Sequence, residues 1–122
     1  MKKHDKILSL VKEFSNLFYE IKELKTKRSI LYDNCSNLGI ISEIPKDKLG
    51  DFDHLLTCRE LIWKFKLELY PYDHNYMEYR EIIFHHGCER CNEAWKLSCK
   101  IKEKNKRRGI VQASLTKMGV GI

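Results

Sequence analysis

Apolar side chains set the first element of the chain. Ile7, Leu10, Phe14, Leu17, Ile21, Leu24 and Leu31 recur at alternating steps of three and four, with Arg28 the one polar entry. That spacing keeps them on one face of a helix turning once per ~3.6 residues. No Gly or Pro interrupts Met1 to Tyr32, so the pattern predicts one long helix over residues 3–32. Val11 and Phe18 widen the stripe beyond a strict coiled-coil seam. A stripe this long needs a partner surface. The rest of the chain can supply it, or a second copy can pair through Phe14, Leu17, Ile21 and Leu24 to make a homodimer.

Asp33-Asn34-Cys35-Ser36-Asn37-Leu38-Gly39 is rich in turn formers and stops the helix. A loop is expected through Pro45 to Gly50, with Asp51 or Asp53 capping a second helix. Leu55, Cys58, Ile62, Phe65 and Leu69 repeat at helical spacing until Pro71. Over Trp63–Leu69 apolar and polar residues also alternate strictly, which is a strand signal. The alternative to a second helix is therefore a short β-hairpin pairing 38–44 with 63–69. Pro71-Tyr72-Asp73-His74-Asn75 reads as a turn. Tyr76, Tyr79, Ile83 and His86 then share a face of a third helix ending at Gly87. A fourth helix is expected from Glu89 to Arg107, with Ala94, Leu97 and Ile101 inward. Gly109 should break it before a short last helix carrying Ile110, Val111, Leu115 and Met118. The predicted fold is mainly α: about five helices in a single domain over 1–122. The long N-terminal helix would pack on a shorter helical body at 51–122.

Composition narrows the classes. Two Pro and six Gly in 122 residues exclude a collagen-like or disordered chain. No apolar run approaches the ~20 residues of a membrane span. Met1-Lys2-Lys3-His4-Asp5 has no apolar stretch behind it, so a cytoplasmic protein is expected. The net charge of +6 is uneven: residues 91–122 hold eight Lys and Arg against two acids, a balance of +6 by themselves. Residues 51–90 hold five against eight.

Five cysteines, an odd number, do not suit a disulfide framework. The densest chemistry is His85-His86-Gly87-Cys88-Glu89-Arg90-Cys91. Two thiolates separated by two residues can grip one tetrahedral ion, and a helix start favours the thiolate form. This predicts a structural zinc held by Cys88 and Cys91 with His85 and His86, while Cys35 and Cys58 remain candidates for its open positions. Cys99 lies about 12 Å along the helix from Cys91, too far to join. Cys58 and Cys99 border apolar faces and also read as small core residues. A thioredoxin-like redox pair is a further reading, without the βαβ context of that fold. Asp73-His74-Asn75, His85-His86 and Cys88-x2-Cys91 together resemble HNH-type nucleases. That resemblance implies a zinc-bound ββα core with His74 or His85 catalytic. Asn92 stands where that family often has His.

Lys100, Lys102, Lys104, Lys106, Arg107 and Arg108, followed by Lys117, concentrate the positive charge. They can contact phosphates, or they can be a solvated helix end favourable to the macrodipole. No nucleotide-binding fingerprint or catalytic triad accompanies them, so a non-enzymatic role is expected. A C-x2-C opening a helix that ends Lys-Arg-Arg-Gly, then Ser114-Leu115-Thr116-x-x-Gly119, resembles small accessory proteins of phages and mobile elements. The resemblance implies binding to nucleic acid or to a nucleic-acid-handling complex. The alternative is an inhibitor of a host defence system, including the anti-CRISPR type, docking on an acidic face of a host protein.

Overall fold

The computed structural model describes residues 2–69 and 79–121, Leu67 by its backbone alone. The chain is mainly helical, and no strand occurs among the described residues. The helices are α1 (Lys3–Asp33), α2 (Leu38–Glu43), α3 (Cys58–Lys64), α4 (Lys66–Leu69), α5 (Tyr79–His86) and α6 (Glu89–Lys117), with 3-10 turns at Lys46–Lys48 and Asp53–Leu55. The proposed Pro71–Asn75 turn, His74 and Tyr76 lie outside the described residues. The chain divides into two compact units, Met1–Lys27 with Leu97–Ile122, and Arg28–Lys96. Both α1 and α6 contribute to each.

In the first unit the stripe of α1 meets α6. Leu17, Val111 and Leu115 form a buried cluster, with Ile7, Leu10, Phe14 and Val120 packed against it. Arg107 forks onto the Glu13 carboxylate, its Nη2 2.6 Å from Oε1, and Lys104 Nζ lies 2.8 Å from Glu20 Oε2. Higher positions on α1 meet lower ones on α6, so the helices run antiparallel. Leu17 and Ile21, two of the four residues of the proposed dimer seam, are buried within this chain. Leu8, Val11, Phe18 and Tyr19 are the large apolar side chains that α1 leaves exposed in this unit.

Gly109 does not break α6. Ala94, Leu97, Ile101, Lys104, Arg108, Val111 and Leu115 keep three- and four-residue steps across it. Burial of Val111 and Leu115 outweighs the ~1 kcal/mol that glycine costs inside a helix. The run Lys100–Arg108 therefore sits mid-helix, and a favourable helix end does not account for it.

In the second unit, Ile40, Ile44, Leu61, Ile62, Phe65, Leu69, Ile82 and Ile83 form the core with Cys58 and Cys91. Here the expected loop contains α2, and the expected single helix over 55–69 is split. Thr57, not Asp51 or Asp53, caps α3. Its hydroxyl accepts from the Glu60 N–H, and Glu60 returns a bond to the Thr57 N–H, a capping box. Asp53 is occupied elsewhere: its buried carboxylate accepts from the Gly50 N–H at 2.6 Å and pairs with Lys64 at 2.5 Å. The Lys64 ammonium holds that carboxyl below its usual range. The hairpin alternative fails because its first strand is helix α2. Gly39 brings α2 against the end of α5, where an added Cβ would overlap the His86 carbonyl oxygen.

Two glycine substitutions test this packing in opposite directions. Gly109→Ala should raise unfolding free energy by ~0.5–1 kcal/mol, because nothing lies within 4 Å of the added methyl. Gly39→Ala should lower it by ~1–3 kcal/mol. Urea denaturation followed by circular dichroism reads both.

Candidate metal centre and the basic helix face

Three separate segments deliver four thiols to one point. Cys35 follows the end of α1, Cys58 opens α3 behind its Thr57 cap, and Cys88 and Cys91 flank the start of α6. Their Sγ atoms all lie within 4.8 Å of one another and can hold a metal ion. The Cys91 Sγ is 3.2 Å and the Cys88 Sγ 3.7 Å from the Cys35 Sγ. Four sulfurs bound tetrahedrally at ~2.3 Å from one ion stand about 3.8 Å apart, so these separations need little adjustment. The thiols are free, and their spacing is too wide for a bonded pair.

Backbone donors face two of the four sulfurs. The Cys58 N–H donates to the Cys35 Sγ at 3.2 Å, and the Cys91 N–H donates to the Cys88 Sγ at 3.3 Å. The first turn of α6 adds its partial positive charge. Hydrogen bonding from the Cys91 thiol lowers the Cys58 thiol to about 6. Burial pushes Cys35 up to about 12, and hydrogen bonding to Cys58 together with burial raises Cys91 strongly. An ion would replace the remaining protons, so binding releases protons.

The set differs from the predicted one at two positions. Cys88 and Cys91 are in the group, while His85 and His86 are outside it. His86 Nδ1 lies 3.4 Å from Glu43 Oε1, and exposed His85 stands edge-on to Phe84. The two histidines end α5, and the chain must pass Gly87 before it turns into the cluster. Cys35 and Cys58 occupy the places proposed for them. Cys58 is fully buried and belongs to the core as well. Cys99 is exposed, a correction to its reading as a core thiol. The signal in the sequence was positional: each of the four cysteines stands at a helix boundary, and Cys99 does not.

The predicted basic set divides. Lys104 and Arg107 are spent on Glu20 and Glu13, and Arg108 is half-buried. Lys100 shares a cleft with Glu20, Glu23 and Glu103. Lys102, Lys106 and Lys117 are exposed and have no acidic partner among the described residues. Steps of four and eleven put these three on one face of α6. No helix is long and apolar enough to cross a membrane among the described residues.

Comparison with protein-family models, curated protein sequences and solved structures finds no match. The nuclease resemblance also loses its architecture, since helix α5 precedes Cys88 where a ββα core has strands.

Cobalt(II) titration should give one equivalent with the intense visible bands of tetrahedral thiolate. Cys35→Ser or Cys58→Ser should abolish that signal, and His85→Ala with His86→Ala should leave it intact. The metal-free chain should also show a definite pH profile. The folded Cys58 ionises near 6 and the unfolded thiol near 9.0, so the fold holds fewer protons between those values. Stability from this group is complete above about pH 9 and is lost as pH falls through about 6. Cys35, raised to about 12, acts oppositely: its contribution is complete below about pH 9 and is lost as pH rises toward 12. Thermal melts in chelator should peak near pH 9.

Proposed function

We propose that this protein is a small, non-enzymatic, cytoplasmic nucleic-acid-binding protein of the phage and mobile-element accessory type. A structural zinc on Cys35, Cys58, Cys88 and Cys91 holds its second unit together. A set of four thiolates at tetrahedral spacing suits zinc, which closes such structural sites without redox chemistry. Thiols kept reduced for metal suit a cytoplasmic setting.

One observation carries the nucleic-acid reading. Divided by compact unit, the charge separates further than it does along the chain. The unit of residues 1–27 and 97–122 holds fourteen Lys and Arg against five acids, a balance of +9. The unit of residues 28–96 holds nine against twelve, a balance of −3. A surface of one sign attracts a polyanion over distances of the order of ~10 Å. Lys102, Lys106 and Lys117 offer ammonium groups to phosphates. The face lacks exposed aromatic side chains for stacking and a base-reading motif, so recognition is electrostatic and weakly sequence-dependent.

Binding of the metal-loaded chain to random duplex and single strands should weaken steeply with salt. The slope of log affinity against log salt is about −0.9 per phosphate contacted on duplex. Replacing Lys102, Lys106 and Lys117 together by Ala should make that slope shallower by ~2–3 and leave the melting temperature unchanged. Absence of binding at ~50 mM salt, or an unchanged slope in the triple variant, rejects the reading.

A further inference from the structure

The acidic unit holds a feature that the nucleic-acid reading does not use. Leu56, Arg59, Ile62, Trp63, Lys66 and Tyr79 line a groove of about 650 Å³. This is within the size range of sites that bury a small ligand or a few side chains. Trp63 is 79% exposed although its neighbour Ile62 is buried. The Lys66 ammonium lies 5.6 Å from the centre of the Trp63 ring. The Arg59 guanidinium lies 4.4 Å from the centre of the Tyr32 ring and has no carboxylate partner among the described residues. The Tyr79 hydroxyl is buried and meets no hydrogen-bond partner among the described residues.

The remaining polar groups of the groove are already engaged. Lys64 is held by Asp53, and the Glu60 carboxylate accepts from the Thr57 N–H and hydroxyl. What stays open is an apolar wall and two cations, Arg59 and Lys66. The complement is an apolar group carrying an adjacent carboxylate. A long polyanion is disfavoured here by the unit's balance of −3, which repels extended negative charge while leaving the local cations to orient a short one. Trp, Tyr and Arg are also the side chains that dominate binding energy where two proteins meet.

We propose that this groove docks a short acidic segment of a partner protein. An apolar side chain of that segment seats on Trp63, and a neighbouring carboxylate is held by Arg59 and Lys66. The inference stands apart from the nucleic-acid reading, since its residues and its unit are different.

Random-peptide selection on the metal-loaded full chain, followed by fluorescence polarisation with dye-labelled synthetic copies of the recovered peptides, tests it. The recovered sequences should pair Phe, Trp or Leu with Asp or Glu. Trp63→Ala should weaken their binding ~30-fold, and Lys66→Glu ~10-fold. Trp63 and Lys66 are exposed, so both variants should keep their circular dichroism and metal content. Replacing Lys102, Lys106 and Lys117 should leave peptide affinity unchanged. The proposal is overturned by recovery of no sequence, by recovery of basic sequences, or by a Trp63→Ala variant that binds as well as the parent. Loss of nucleic-acid affinity in Trp63→Ala and Lys66→Glu would equally overturn it, assigning the groove to a polynucleotide surface.

Discussion

The meeting of four sulfurs is the constraint on which the second unit depends. Cys35, Cys58 and the Cys88–Cys91 pair come from three stretches of chain that are otherwise held together by a small core. Two of the four, Cys58 and Cys91, are themselves fully buried members of that core. A unit of this size gains little margin from apolar burial alone, and small domains commonly rely on a metal or disulfide to close the balance. The sulfurs also set local geometry. Cys58 must stand at the first turn of α3, which explains why Thr57 carries the cap and why the helix begins there. Cys91 must stand in the first turn of α6, which is reached only after the chain passes Gly87.

Charge follows a different logic from metal. Along the sequence it reads as a basic start, an acidic middle and a basic end. The fold joins the start and the end into one helical pair and leaves the middle by itself. Within the pair, Glu13 and Glu20 take up Arg107 and Lys104, so two of the cations serve register between α1 and α6. Exposed pairs of this kind add little stability, and they favour the one register in which both carboxylates meet a cation. The cations left over lie on the far side of α6, where no acid of the pair reaches them.

Much of this was legible in the sequence, and the exceptions have physical causes. The α1 stripe and its end at Asp33 follow from helical periodicity and a cluster of turn formers. The thiol pair at Cys88 and Cys91 follows from spacing. Completing the set by Cys35 and Cys58 in place of His85 and His86 depends on tertiary approach, which no local pattern encodes. Gly109 was misleading because glycine is both a stop signal and a tolerable helix residue. Only the phase of the apolar positions on either side distinguishes the two. Asp53 was misleading because a cap residue and a buried ion-pair acceptor look alike until Lys64 is in place. The short helix α2 was hidden by its own brevity: six residues carry too few periods to stand out from a loop.

The embedded sulfur cluster has a consequence for the protein's lifetime. With an ion on the four thiolates, the folded state is favoured by mass action. Each tenfold fall in free metal above the dissociation constant removes about 1.4 kcal/mol of that stabilisation. The fraction of open, protease-accessible chain then rises by about the same factor of ten. At a fixed rate of synthesis, the lifetime of such a chain would therefore lengthen or shorten with the supply of free metal.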